Sequence, residues 1–266
     1  MRGCSMMMGA LLLGFLTIPG AASAQSADDD WCQDRYSDRD REWVCEVREY
    51  SLSASHLTVD AGLNGGVAVY GESRRDIIVQ ARVQAQARSQ GRAEELIQQV
   101  EVVVGDGRIS AEGPDKGRRE SWSVSYRIAV PVQTDLDLET HNGGIRLEGI
   151  HGEVRFDALN GGVHLAEMSG DVRGATVNGG LHVELTGSEW EGSGLDVSTT
   201  NGGITLTVPE GYSADLEAGT VNGGFNIDFP ITMTGRIGRE IRTQLGDGGA
   251  PVRVRTTNGG VRLTRP

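Results

Sequence analysis

The tripeptide Asn-Gly-Gly occurs seven times, at Asn64, Asn142, Asn160, Asn178, Asn201, Asn222 and Asn258. Each copy runs into an apolar-x-apolar triplet: Val67/Val69, Ile145/Leu147, Val163/Leu165, Leu181/Val183, Ile204/Leu206, Phe225/Ile227 and Val261/Leu263. The interval is 18 residues from Asn142 to Asn160 and again to Asn178, and then 23, 21 and 36. Recurrence on this scale marks a chain of stacked copies of one small unit, none of which can bury its apolar face alone. Between copies, Ile150, Val154, Phe156 and Ala158 alternate with Glu153, Arg155 and Asp157, and the next period places Met168, Val172, Gly174 and Thr176 at the same offsets. Period two is a strand signal, so each unit reads as two short strands with one apolar face, joined by a Gly-containing turn and by Asn-Gly-Gly.

Two architectures use such units. In an antiparallel meander, Asn-Gly forms a hairpin turn at one end of each strand pair. In a parallel solenoid each period is one coil, and equal offsets stack about 4.8 Å apart. The solenoid accounts for more: position minus two from Asn is Thr140, Ala158, Thr176, Thr199, Thr220 and Thr256 in the last six copies. Stacking would let Asn ladder its amide on the Asn above and below, and Thr likewise. Asn and Gly also tolerate the positive φ of a sharp corner. The expected fold is all-β, a parallel β-solenoid (β-helix) with short two-strand coils, the seven Asn residues at its structural corners, and one short helix near residues 93–100. There Leu96, Ile97 and Val100 fall at helical spacing behind Glu94 and Glu95, whose charges suit a helix N-terminus.

Upstream, residues 1–24 read as a signal peptide: Arg2 is the only charge, Ala10 to Ile18 is apolar, and Ala22-Ser23-Ala24 is a small-x-small cleavage site. The apolar run is shorter than the ~20 residues of a membrane span, and no later stretch is long enough. Export to the periplasm, cell surface or medium is expected. Losing Arg2 moves the formal net charge from −12 to −13. So acidic a chain argues against nucleic acid and anionic lipid as partners. Cys4 leaves with the signal, and the remaining Cys32 and Cys45 read as a disulfide in an oxidising compartment. The expected domains are a disulfide-closed segment over 25–48 and the solenoid over 49–266. Asp34, Asp38 and Asp40 invite a calcium reading. The interleaved Arg35, Arg39 and Arg41 oppose it, and no glycine-turned loop closes on a bidentate Glu.

The layout resembles the bacterial putative-adhesin family, exported proteins with a β-helical domain of unknown function. The resemblance covers roughly residues 46–266. It rests on Thr-x-Asn-Gly-Gly-x-x-apolar rungs, Val-Pro steps at Val130-Pro131 and Val208-Pro209, the terminal Asn-Gly-Gly-apolar-x-Leu, and Cys45-Glu-Val-Arg-Glu49 before the first strand. It implies an envelope-associated, adhesin-like module that takes no cofactor, with a cell-envelope glycan or another envelope protein as partner. It also permits a periplasmic partner of an envelope-stress sensing system.

Some β-helices cleave polysaccharides, which requires two carboxylates about 5 to 9 Å apart on one face. Asp135 and Asp137 share a strand face, and Glu153 and Asp171 should stack on neighbouring rungs. All four read better as a solvated face beside Arg155 and Arg173, so no catalytic residue is expected and a polysaccharide-active enzyme is the alternative. His164 and His182 occupy the same offset in adjacent periods beneath Arg146. The next equivalent position is Thr205, no third ligand follows from the spacing, and no metal is expected. Asn-Gly-Gly also lacks the Asp that calcium-laddered repeats need.

Overall fold

The structure, a computed structural model, describes residues 31–32, 41–115, 117–230 and 238–266. The signal segment, Asp34, Asp38 and Asp40 lie outside the described residues. The chain divides into two compact units, 1–34 and 35–266. In the first, only Trp31 and Cys32 are described; Cys32 is disulfide-bonded, as is Cys45.

The second unit is mostly β and consists of two ten-stranded sheets. Its regular part is a set of strand pairs, one strand in each sheet, flanking an Asn-Gly-Gly. These are β2 (His56–Asp60) with β3 (Val67–Glu72), β8 (Asp135–Thr140) with β9 (Ile145–Glu148), and β10 (Glu153–Asn160) with β11 (Val163–Ala166). Then come β12 (Asp171–Asn178) with β13 (Leu181–Glu184), β14 (Gly194–Asn201) with β15 (Ile204–Thr207), β16 (Ala214–Asn222) with β17 (Phe225–Ile227), and β19 (Pro251–Asn258) with β20 (Val261–Thr264). Neighbouring pairs are parallel and in register at equal offsets: Val154 faces Val172, Asn160 faces Asn178, and His164 faces His182. Apolar positions alternate inward from both sheets into one core that includes Leu136, Val154, Phe156, Leu165, Val172, Val197 and Leu206.

Antiparallel strands stand at both ends of the sheet of β8 and at one end of the sheet of β9, whose other end is β17. At one end, β4 (Ile77–Ala87) pairs antiparallel with β1 (Glu42–Leu52) and with β7 (Ser121–Pro131), and β7 joins β3 in parallel. The hairpin of β5 (Glu101–Gly105) and β6 (Arg108–Glu112) turns through Asp106 at φ 50° and Gly107 at φ 70°. At the other end β18 (Glu240–Leu245) lies antiparallel on β16. Paired or covered outer ladders are less open to association with other chains. β1 runs through the expected domain boundary at 48/49, because pairing with β4 fixes all of Glu42–Leu52. Helix α1 spans Gln90–Gln98, starting before the expected Ala93, because the Ser89 side chain caps it by accepting from the Arg92 N–H. Glu94 and Glu95 therefore miss the first turn; they accept from Gln90 and Arg92 instead.

The rungs are not stacked in chain order. From the N-terminal end the Asn-containing pairs run 64, 142, 160, 178, 201, 258, 222, so β19/β20 is inserted between β14/β15 and β16/β17. The Asn amides form one ladder along this order: each Nδ2 donates to the preceding Oδ1, at 3.1 Å from Asn142 to Asn64 and at 2.8 Å in the five later steps.

Positive φ is not why glycine follows Asn. None of the fourteen glycines in the seven copies has it, whereas Gly149, Gly170 and Gly211 in the opposite turns do. The reason is close approach. A Cβ on the first glycine would lie 2.0 Å from a backbone carbonyl oxygen of the preceding rung: Gly161 against Gly143, Gly179 against Gly161, Gly259 against Gly202. The buried threonines do not ladder on one another either. Thr176, Thr199, Thr256 and Thr220 donate to the carbonyls of Gly161, Gly179, Gly202 and Gly259 on the preceding rung. Where that row has Ala158, Thr140 serves Gly143 of its own rung.

Candidate functional site

The outward faces hold the residues with chemical potential. On the first sheet, the one that holds β8, β10, β12, β14, β16 and β19 (the second holds β9, β11, β13 and β15), Glu153 pairs with Arg155, and Asp171 with Arg173 at 2.9 Å, each two residues apart on one strand. Glu153 and Asp171 are opposite one another in register, and Asp135 Oδ1 accepts from the Glu153 N–H at 2.8 Å. Asp157 is pushed above the ordinary carboxylate range by burial and then by Asp137. Glu153 and Asp171 are therefore held in ion pairs and Asp135 in a backbone contact, while Asp137 is exposed.

At the far end of the same sheet, β19 presents Arg253 and Arg255 between Asp196 of β14 and Glu217 of β16. Arg255 donates to Asp196 at 3.0 Å and to Glu217 at 2.9 Å, and Arg253 to Glu217 at 3.2 Å. The Arg255 hydrogen bond holds the Glu217 carboxyl below its usual range against the opposing effect of burial. A cavity of about 1020 Å³ opens beside this network, lined by Tyr212, Glu217, Phe229, Arg242, Arg253 and Arg265 among others. Arg265 lies 4.0 Å above the Phe229 ring and donates to the carbonyls of Val208 and Pro209, which ties the last described strand to the cavity wall. Burial pushes the Tyr212 hydroxyl up to about 12, and Glu189 and Glu191 add to it.

The second sheet carries the most convergent group. Parallel register sets His164 of β11 beside His182 of β13, with ring centroids 5.0 Å apart and planes at 12°. Strand period two then puts Glu184 on the same face as His182. Its Oε1 lies 3.0 Å from His182 Nε2 and 3.8 Å from His164 Nε2. The third donor that the spacing along the histidine row did not supply is thus Glu184, two residues further along the same strand. Ala166, itself buried, stands between Glu148 and Glu184 across the strands. Arg146 lies beside His164 and within 3.9 Å of Glu148. The His164 imidazole is held below its usual value by burial first and by Arg146 second. A shallow groove of about 380 Å³ runs alongside, floored by Gly162, Gly180 and Gly203 and bounded by both histidines and Thr205. Asn64, Asn142, Asn160, Asn178, Asn201, Asn258 and Asn222 are assembled into one amide edge.

Residues 92–264 match the family described as Toastrack DUF4097. No curated protein sequence matches the chain. Among solved structures, a putative cell adhesion protein from Clostridium sporogenes is similar with a TM-score of 0.49 at 10% identity, over 84% of this chain and 100% of that one. A putative adhesin from Bacteroides fragilis gives 0.35 at 10% identity over 83% and 97%, and one from Parabacteroides merdae 0.36 at 11% over 82% and 95%.

Proposed function

The chain belongs to the Toastrack DUF4097 family, and from that premise we propose that it is a non-enzymatic, exported β-solenoid of the cell envelope or surface, acting as an adhesin-like binding or structural module. The observation that carries this reading is what the repeat is used for. Seven Asn-Gly-Gly corners go into a hydrogen-bonded edge, and outward carboxylates such as Glu153 and Asp171 are paired with arginines along their own strands. A surface of this kind offers the same polar pattern on rung after rung, which suits an extended repeating partner such as an envelope glycan. Export is supported by the N-terminal 24 residues and by the disulfide state of Cys32 and Cys45, a bond that persists outside the reducing cytosol. Among the described residues no helix is long and apolar enough to cross a membrane.

Incubation of the purified protein with a panel of polyuronates and envelope glycans, reading retention and turnover together, tests the proposal. Retention without turnover is the expected outcome. Turnover above a blank would replace the binding module with a polysaccharide-active enzyme. For the export claim, mass spectrometry of the protein recovered from the producing cell should find a chain beginning at Gln25; a retained Met1 terminus sinks it.

A further inference from the structure

We propose that His164, His182 and Glu184 form a site for one divalent transition-metal ion of the zinc class on the outer face of the second sheet. Two imidazoles and a carboxylate are a donor set that Zn²⁺ accepts, with a fourth position left to water or to a donor from a partner. The three donor atoms lie within 4.8 Å of one another. A tetrahedral ion with bonds of ~2.0–2.1 Å needs donors ~3.3 Å apart. The separations of 3.0 Å and 3.8 Å from Glu184 Oε1 bracket that value, and rotation of the side chains is the movement that brings the two ring nitrogens to it. The near-parallel rings must turn about their χ2 bonds until both Nε2 lone pairs converge.

The surroundings favour occupation. Each histidine is anchored on a strand whose neighbours are fixed in register on both sides, so the pair is held in place before any ion arrives. Glu148, on the other side of Ala166, adds a second negative charge and Arg146 a positive one. The 3.0 Å contact between His182 Nε2 and the Glu184 carboxylate places the ring proton on Nε2. An ion takes the place of that proton, and the ring passes to its Nδ1–H tautomer. The groove floored by Gly162, Gly180 and Gly203 keeps the approach open beside the histidines. This site is independent of glycan binding, and its occupancy can be measured without it.

Equilibrium dialysis of the purified protein against Zn²⁺, after removal of any metal carried from purification, should give one ion per chain. His164→Ala and His182→Ala should each lose it, and Glu184→Gln should weaken it. Co²⁺ in place of Zn²⁺ should give the intense visible bands of a four-coordinate ion, lost in the same variants. The remaining histidines, His56, His141 and His151, are exposed, so a chain with all three replaced by alanine should keep full stoichiometry. The replaced side chains point outward, and circular dichroism checks that each variant is folded. Failure of the folded wild-type chain to bind Zn²⁺, or binding that survives His182→Ala or disappears in the triple variant, overturns the assignment.

Discussion

Replacing Gly161 and, separately, the adjacent Gly162 by alanine should have opposite outcomes. A Cβ on Gly161 would stand 2.0 Å from the Gly143 carbonyl oxygen and 2.5 Å from its carbon, both backbone atoms that no rotamer change can move. Relieving the contact requires the rungs to part by about 1 Å, since real Cβ atoms do not approach closer than 3.0 Å. Three hydrogen bonds cross that corner: Asn160 Nδ2 to Asn142 Oδ1 and Asn160 N–H to His141 O, both 2.8 Å, and Ile145 N–H to Gly162 O at 3.0 Å. Lengthened by that amount they cease to be hydrogen bonds, at about 1 kcal/mol each, so Gly161→Ala should cost about 3 kcal/mol. For a domain of this size that is a fall in Tm of roughly 6–12 °C. A Cβ on Gly162 would meet only the Gly180 carbonyl oxygen at 3.6 Å, an ordinary contact, and the residue is exposed with no positive φ. Gly162→Ala should therefore be neutral, or stabilising by up to about 1 kcal/mol through the unfolded chain. Urea unfolding followed by circular dichroism measures both. Equal losses at the two positions would refute close approach as the reason for glycine, and so would a Gly161→Ala chain as stable as wild type.

Phe156→Ala should cost about 3–5 kcal/mol, since the ring is 1% exposed in the core. Its neighbour in register is Gly174, where a Cβ would sit 2.5 Å from three ring carbons, so Gly174→Ala should destabilise by ~1–3 kcal/mol. Phe156→Leu combined with Gly174→Ala should recover part of that loss, and strict additivity in a double-mutant cycle would show that the two do not share the space. The Tyr126 hydroxyl is buried with no hydrogen-bond partner among the described residues, so Tyr126→Phe should be neutral or stabilising by about 1 kcal/mol, and a clear loss in urea unfolding would refute this. The folded Glu217 carboxyl titrates below its ordinary 4.5, so its stabilisation is present above that value and is lost as pH falls through the folded value. Stability measured from pH 7 to pH 3 should therefore fall less steeply in Glu217→Gln than in wild type; parallel curves would remove Glu217 from the acid transition.

Much of the fold is legible because a constant period is a constant offset. Once 18 residues separate Asn142, Asn160 and Asn178, the pairings of Val154 with Val172, Glu153 with Asp171 and His164 with His182 follow from the repeat alone. The turn at Asp106-Gly107 is legible for a different reason, since only a few residue pairs take two consecutive positive φ values readily. The role of the Asn-Gly-Gly glycines was not legible. Positive φ and close approach both select glycine, and only the 2.0 Å distance to the next rung separates them. Glu184 is legible from strand geometry: a strand returns to the same face after two residues, which puts Glu184 beside His182 on its own strand as well as Thr205 on the next. The apolar spacing marks helix α1 only from Ala93, three residues after its first residue Gln90, because the Ser89 cap sets the start.

The order of the last rungs is the feature that chain sequence leaves least exposed, yet residues that share one offset fit it. Five positions before Asn stand Asp196, Glu217 and Arg253 in the copies at Asn201, Asn222 and Asn258. Had the rungs stacked in chain order, register would set Glu217 directly against Asp196, two carboxylates on adjacent strands, and like charges opposite one another destabilise a sheet. Inserting β19 places Arg253 between them, opposite Asp196 on one side and Glu217 on the other, and lets Arg255 reach both. The insertion is also sterically open, because the Asn222 copy is the end of the stack: a Cβ on Gly224 would meet nothing within 4 Å, while Gly260 already faces Gly224 at 3.2 Å. The 36-residue interval before Asn258 contains β18, which crosses to the outer edge of β16 and caps it antiparallel. The chain thus lays down its terminal rung and the cap first, then returns with an arginine-bearing strand to fill the slot between two acidic ones. The alternation is local to this end of the sheet, since the same offset sets Arg155 directly opposite Arg173 on β10 and β12.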